Sequence, residues 1–175
     1  GGGARILVVD DEAGMRSLLA SVLERDGYRV QVAAGAEEAL RLLQSAPPAE
    51  RPQLLLTDIC MPKIDGIELI RRVRAERSLF PVVALTGYGD KDLVVRLIDA
   101  GVDGFVEKPI SNRALLDHVA AALVAGKRRA EAAAKVPAAA AATLGEAKPR
   151  ADLQRRDIRV DLDKLDRLLN LVGEL

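Results

Sequence analysis

Short apolar runs alternate with longer stretches of helical periodicity from residue 4 to residue 126. The apolar runs lie at residues 6–9, 28–32, 54–56, 82–85 and 104–107. Runs of this length are typical of strands, and the three consecutive leucines at 54–56 indicate a strand that is buried on both faces. Between the runs, apolar residues recur at intervals of three and four, which predicts an amphipathic helix after each strand. The pattern therefore predicts five βα units.

Residues that favour helix ends lie at the borders of these stretches. The predicted N-caps are Asp65, Asp90 and Ser111, and the predicted C-terminal glycines are Gly27 and Gly101. Glu68, three residues after Asp65, predicts a capping box. Strict βα alternation predicts a parallel sheet with helices on both faces, because crossover connections are right-handed.

The helix predicted over residues 67–77 has two contrasting faces. We expect its apolar residues Ile67, Ile70 and Val73 to face the sheet, and Arg71, Arg72 and Arg74 to form a basic outer face.

Four predicted strands end in polar side chains that could carry chemistry. These are Asp10 and Asp11, Asp58, Thr86, and Lys108. Functional groups gather beyond the carboxyl ends of parallel strands, so we expect these side chains to share one crevice. Taken singly, an Asp-Asp turn or a Lys-Pro strand exit is ordinary surface structure; their combination at four strand ends is the informative feature.

This set of residues, in this order, resembles the receiver domain of two-component signalling, the CheY-like family, over residues 4–126. The resemblance implies a flavodoxin-like, doubly wound α/β fold with strand order 2-1-3-4-5, in which strands one and three are neighbours. It implies that Asp58 is the phosphoacceptor for a partner histidine kinase. Lys108 would clamp a phosphoryl oxygen, and Thr86 would hydrogen-bond another.

Three carboxylates in one pocket repel one another unless a cation is present, and Mg²⁺ suits a site with few protein ligands. The resemblance implies that Asp11 and Asp58 ligate Mg²⁺ together with the backbone carbonyl of Cys60. Asp10 would act largely through metal-bound water.

The resemblance also implies a conformational switch. Thr86 moves toward the phosphoryl group, the aromatic Phe105 swings inward, and the face made by the fourth helix, fifth strand and fifth helix changes. His118, in the last helix of this region, lacks the flanking pattern of a phosphoacceptor histidine, so we expect it to be structural.

Charge and composition limit the possible partners. The formal net charge is zero, which argues against a nucleic-acid-binding surface over the whole molecule. The single cysteine excludes an intramolecular disulfide and favours a reducing cytoplasm. The sequence contains no run of 18 apolar residues and no signal peptide, so we expect a cytoplasmic protein without a membrane partner.

Net charge also changes along the chain, from −3 over residues 1–126 to +4 over residues 127–150 and −1 over residues 151–175. We interpret residues 127–152 as a basic Ala/Pro-rich linker, whose first part could extend the last helix as far as Val136, with Pro137 stopping it.

Residues 153–175 are predicted to form an amphipathic helix. Leu162, Leu165, Leu169 and Val172 fall at a/d spacing, and such a stripe must bury against a partner. The segment from Arg159 resembles the opening of the dimerisation domain of chemotaxis-type (CheA-like) histidine kinases. This resemblance implies a homodimer through residues 158–175, and a generic coiled coil is the alternative.

We therefore expect a phospho-receiver of a two-component or chemotaxis phosphorelay that belongs to a larger hybrid signalling protein. We expect no stand-alone enzyme beyond self-phosphotransfer and autodephosphorylation. A Mg²⁺-dependent aspartyl-phosphate phosphatase would need an acid where Cys60 stands, and Asp11 and Glu12 would repel the phosphate of a flavin carrier. A non-signalling structural or dimerisation module is disfavoured by the intact acid, threonine and lysine set.

Overall fold

The computed structural model describes residues 3–87 and 91–135, and these form five parallel strands and five α-helices in strict alternation. The elements are β1 (Arg5–Val9), α1 (Ala13–Arg25), β2 (Arg29–Ala33), α2 (Ala36–Ser45), β3 (Leu54–Asp58), α3 (Gly66–Glu76), β4 (Val82–Thr86), α4 (Lys91–Ala100), β5 (Gly104–Glu107) and α5 (Asn112–Ala134), with a short 3₁₀ turn at Pro48–Glu50. Each strand and helix predicted between residues 4 and 126 is confirmed, with bounds shifted by a residue or two except at the end of α5.

The strand order is β2-β1-β3-β4-β5, which confirms the flavodoxin-like topology. Chain connectivity alone would not make β1 and β3 neighbours, but the sheet pairs them in parallel with Val9 opposite Thr57. Asp10 and Asp58 are the next residues along these two strands, so the register brings both acids to the same edge of the sheet.

Two aliphatic layers enclose the sheet. Every residue of β3 and β4 is buried, as the leucine run predicts for strands covered on both faces. Helices α2, α3 and α4 cover one face and α1 and α5 cover the other. The central strands are therefore held rigidly at the edge where the polar side chains emerge.

The predicted N-caps Asp65 and Ser111 are confirmed, but the Glu68 side chain does not complete the predicted capping box. Asp65 Oδ1 accepts a hydrogen bond from the Glu68 N–H at 2.8 Å, whereas the Glu68 carboxylate pairs with Arg72. Ser111 caps α5 through the Ala114 N–H. The prediction that Asp90 caps α4 falls on residues 88–90, which lie outside the described residues.

The prediction that Arg74 lies on the basic outer face of α3 is wrong. Its side chain is only 15% exposed, because its guanidinium donates to the carbonyls of Ser78, Phe80 and Gly101 and pairs with Asp103 at 2.9 Å. Arg74 thus ties the end of α3 to the loops that precede β4 and β5. Arg71 and Arg72 are exposed, as predicted.

Helix α5 continues to Ala134, past the border at residue 126, and packs against the body of the sheet on the way. Gly126 lies so close to Pro81 that a β-carbon at position 126 would collide with the proline ring. One turn further, Arg129 forms an ion pair with Asp103. The first compact unit of the chain ends at Lys135.

The amphipathic helix predicted for residues 153–175, and the linker from residue 136 onward, lie outside the described residues. Among the helices that the structure describes, none has the length and apolar character needed to span a bilayer.

Candidate functional site

The acids predicted from the strand ends lie together at the carboxyl edge of the sheet. One carboxylate oxygen from each of Asp10, Asp11 and Asp58 falls within a group whose atoms are all within 4.8 Å of one another. Asp10 and Asp58 are 1% and 5% exposed, while Asp11 is exposed. Asp10 and Asp58, at the ends of β1 and β3, thus form the buried part of the cluster, and the cluster is exposed to solvent at Asp11.

Lys108 contacts the two buried acids. Its Nζ lies 3.3 Å from Asp58 Oδ2 and 3.8 Å from Asp10 Oδ2. The backbone places this residue beyond the end of β5, where its N–H donates to the carbonyl of Thr86 at 2.8 Å. Because β4 lies between β5 and β3, only a long side chain could bring a cation from this strand end to Asp58.

Burial dominates the electrostatics of Asp58. It raises the pKa of the carboxyl above its usual value, and the negative charge of Asp10 acts in the same direction. The Lys108 ammonium and a hydrogen bond from the backbone of Cys60 oppose this rise in pKa. The Cys60 N–H thus lies beside the acid, and Cys60 itself is exposed. Ligation of a metal by the Cys60 carbonyl stays a prediction.

Thr86 is the last residue of β4 and is 2% exposed. Its Oγ1 atom is buried and has no hydrogen-bond partner in the part of the chain that the structure describes. Phe105, on the neighbouring strand opposite Ala84, is half-buried and packs against the layer formed with α2, α3 and α4. Thr86 thus offers an unpartnered hydroxyl at the carboxyl end of β4, and Phe105 lies on β5 opposite the residue two positions before it.

The β1–α1 turn holds Asp10 by side-chain and backbone contacts. Asp10 Oδ1 accepts from the Glu12 N–H at 2.9 Å, and the Asp10 carbonyl accepts from Arg16 Nη1 at 2.8 Å. Sequence reasoning missed Arg16. The available signal was its position one turn into the helix that follows the two acids.

The main chain of Asp58 is held in a similar way. Thr57 Oγ1 donates to the Asp58 carbonyl at 2.9 Å. On the other side of this carbonyl, α3 begins at Gly66, where any β-carbon would collide with the Asp58 oxygen. The Gly66 N–H donates to Ile59 O at 3.0 Å, so the start of α3 is fixed against the end of β3.

The residues fit a hard divalent cation. Three carboxylates offer oxygen ligands within one small space, and Asp10 Oδ2 is buried without a hydrogen-bond donor among the described residues. Oxygen-only donor sets of this kind suit Mg²⁺, which keeps several waters. His118 is not part of this group: it is half-buried on α5 against Gly104, at the other end of β5 from Lys108.

Comparison with known families gives two matches. A family described as the response regulator receiver domain matches residues 6–120. A second, described as the homodimeric domain of signal-transducing histidine kinases, matches residues 155–175.

Curated relatives match about three quarters of the chain. The alkaline phosphatase synthesis transcriptional regulatory protein PhoP of Bacillus subtilis is 38% identical over 74% of this chain and 51% of its own length. The transcriptional regulatory protein FixJ of Bradyrhizobium diazoefficiens is 36% identical over 77% of this chain and 62% of its own length. The chain thus spans only about half to three-fifths of these relatives.

Solved structures show the same architecture. A response regulator receiver domain protein from Clostridium thermocellum is 29% identical, with a TM-score of 0.63 over 72% of this chain and 96% of that one. The receiver domain of a signal transduction histidine kinase from Syntrophus aciditrophicus is 32% identical, with a TM-score of 0.63 over 70% of this chain and 91% of that one.

Proposed function

The chain belongs to the response regulator receiver domain family, and from this premise we propose that Asp58 accepts a phosphoryl group from a phosphohistidine of a partner kinase. The observation that carries the proposal is the position of Asp58. It is a buried carboxylate at a strand end, 3.3 Å from a lysine ammonium and within a cluster of three acids.

In the proposed reaction, a carboxylate oxygen of Asp58 attacks the phosphorus atom of the phosphohistidine. A phosphorus–oxygen bond forms as the phosphorus–nitrogen bond breaks, and the imidazole of the kinase leaves and takes up a proton. The product on this chain is an acyl phosphate. A carboxylate needs no general base when it is ionised, and Lys108 favours that ionised state.

The surrounding residues would act mainly by position and charge, as is usual in phosphoryl transfer. Lys108 would pair with one phosphoryl oxygen, since its ammonium already faces Asp58. The unpartnered hydroxyl of Thr86 would donate to another. Asp10, Asp11 and Asp58, with the backbone carbonyl of Cys60, would hold Mg²⁺, which would neutralise charge on the transferred group.

We extend the proposal to a switch made of Thr86 and Phe105. A hydrogen bond from Thr86 to the phosphoryl group would move this side chain and open space on the side of Phe105, which is only half-buried. The ring would then pack deeper, and the surface of α4, β5 and α5 would change.

The wider protein is proposed to be a hybrid signalling protein. A receiver match at 6–120 precedes a match to a kinase homodimeric domain at 155–175, and this order supports a receiver joined to a kinase-type dimerisation segment. Residues 158–175 would then form a homodimer contact. The curated relatives above are named as transcriptional regulators, so a chemotaxis pathway stays a prediction.

The test is to trap the acyl phosphate. We expect the full chain, incubated with Mg²⁺ and phosphoramidate, to gain the mass of one phosphoryl group, and borohydride reduction followed by peptide mapping to locate it at Asp58. Asp58→Asn should abolish this gain. Asp65→Asn, which keeps a good N-cap at an exposed position outside the cluster, should retain it.

Labelling that persists in Asp58→Asn would overturn the assignment. A wild-type chain that takes no label would favour the structural module instead.

A further inference from the structure

Thr57 is a polar residue in an otherwise aliphatic layer. The described residues include four buried polar side chains, and three of them, Asp10, Asp58 and Thr86, line the acid site. The fourth, Thr57, is 0% exposed and lies between Val9 of β1 and Ala84 of β4. A buried hydroxyl destabilises a fold unless it is hydrogen-bonded, so its partner is informative.

That partner is the main-chain carbonyl of the next residue. Thr57 Oγ1 donates to the carbonyl of Asp58 at 2.9 Å. Gly66 of α3 lies so close to the same oxygen that a β-carbon at position 66 would collide with it. The carbonyl is therefore held between a hydroxyl and the start of a helix. Its orientation fixes the peptide plane that joins Asp58 to Ile59.

We propose that Thr57 is a positioning residue for Asp58, acting through this carbonyl; the inference rests on the proposed role of Asp58. The peptide plane after Asp58 sets the direction in which the chain leaves β3. It thereby places the Cys60 amide, which hydrogen-bonds the Asp58 carboxylate, and the angle at which that carboxylate meets Lys108. Reactions that depend on alignment are sensitive to displacements of about 1 Å.

Thr57 is neutral, and its hydrogen bond goes to the main-chain carbonyl of Asp58 and not to a carboxylate, so the effect of replacing it can be separated from a change in charge. Thr57→Val keeps the shape and removes the donor, which leaves the Asp58 carbonyl without that hydrogen bond. Thr57→Ser keeps the donor and removes only a methyl group. If the hydroxyl positions Asp58, the site should be impaired in the valine variant and preserved in the serine variant.

A third variant controls for stability. Leu54→Val shortens a fully buried side chain at the far end of the same strand, away from the acids. It should lower the melting temperature through lost packing and leave the site intact.

The experiment uses the full chain in four forms: wild type, Thr57→Val, Thr57→Ser and Leu54→Val. Mg²⁺ affinity is measured by calorimetry without any phosphodonor. Amide exchange of Ile59 and Cys60 is measured in EDTA, and the rate of acyl phosphate formation is measured at saturating phosphoramidate.

We expect Thr57→Val to weaken Mg²⁺ binding, to speed exchange at Ile59 and Cys60, and to slow phosphorylation on the order of tenfold. Thr57→Ser should stay within about twofold of wild type in all three measurements.

A valine variant that behaves like Leu54→Val, with a lower melting temperature and an unchanged site, would overturn the inference. So would a serine variant as impaired as the valine variant, because the methyl group would then be responsible. A wild type that forms no acyl phosphate would refute the proposed function instead, and the Mg²⁺ and exchange measurements would still decide the role of Thr57.

Discussion

The ammonium of Lys108 lies 3.3 Å from Oδ2 of Asp58, although β4 separates the strands that carry these two residues. Within the described residues, Lys108 is the cation that forms ion pairs with Asp58 and Asp10. It therefore offsets the repulsion between two buried carboxylates when no metal is bound.

Replacing this cation should destabilise the metal-free protein. We expect Lys108→Met to lower the free energy of unfolding in EDTA by about 1–2 kcal/mol, a value reduced because the lysine is partly solvated. Added Mg²⁺ should recover part of this loss. Thermal unfolding with and without Mg²⁺ checks it, with the exposed Lys91→Met as the control. A Lys108→Met protein as stable as wild type in EDTA would contradict this account of the ion pair.

Asp58 should reduce stability in the absence of metal. Burial and the charge of Asp10 both disfavour its ionised form, so we expect Asp58→Asn to raise the free energy of unfolding in EDTA by about 1–2 kcal/mol. Mg²⁺ should stabilise wild type more than this variant, because the variant loses one of the three carboxylates. Chemical denaturation at several Mg²⁺ concentrations measures both effects. Lower stability of Asp58→Asn in EDTA would show that the buried charge is better compensated than the structure indicates.

Gly66 should tolerate no side chain. The β-carbon of Gly66→Ala would collide with the Asp58 carbonyl, so α3 or the end of β3 must shift, at a cost of about 1–3 kcal/mol and with weaker Mg²⁺ binding. Gly14→Ala is the matched control, because its β-carbon would find only the flexible Glu12 carboxylate at 3.9 Å and lies within α1. Calorimetric Mg²⁺ titration of both variants should separate them, and equal affinities would contradict the prediction.

His118 should make stability depend on pH. Burial lowers its pKa below the ordinary 6.5, with Asp117 opposing the shift. The unfolded chain then binds a proton more readily than the folded one. The stabilising contribution of the neutral ring is complete above pH 6.5 and is lost as the pH falls from 6.5 toward the folded pKa.

Below pH 6.5, wild type should therefore lose stability relative to His118→Gln, by at most about 1.4 kcal/mol per pH unit for one proton. Denaturation of both proteins across this range in EDTA provides the measurement. Parallel curves would refute the prediction.

Arg129 should hold the extension of α5 in place. We expect Arg129→Ala to speed amide exchange over residues 121–134 about fivefold, equivalent to about 1 kcal/mol, because it removes the ion pair with the buried Asp103. Arg128→Ala removes the adjacent but exposed arginine and should leave exchange unchanged. Hydrogen exchange with mass spectrometry compares the two. Equal effects would mean that the helix is held by its own propensity alone.

The central strands could be predicted from sequence because complete burial leaves a continuous apolar run, as at Leu54–Leu56. The acid cluster could also be predicted from sequence, because the carboxyl ends of parallel strands lie at one edge of the sheet. The strand order did not follow from pattern: it came from the family resemblance, because alternation alone does not say that β1 and β3 pair.

The hydrophobic pattern of the sequence did not predict the contacts that side chains make with main-chain carbonyls. Helical periodicity placed Arg74 outside, but the carbonyls that it binds come from distant loops that periodicity does not place. Thr57 gave no signal, because threonine is a common strand residue and its partner is a main-chain atom. Site residues that act through the backbone are therefore the hardest to find from sequence.

The contacts that the C-terminal end of α5 makes with the rest of the domain determine where a stable fragment of this receiver can end. A fragment that stops at residue 126 would retain Asp103 but lose Arg129, so a carboxylate with 6% of its side chain exposed would keep only Arg74 and the Val82 amide as partners. Gly126 would become a frayed terminus where it now packs on Pro81. A boundary at Lys135 preserves both contacts, and an isolated receiver ending there should be the more stable fragment.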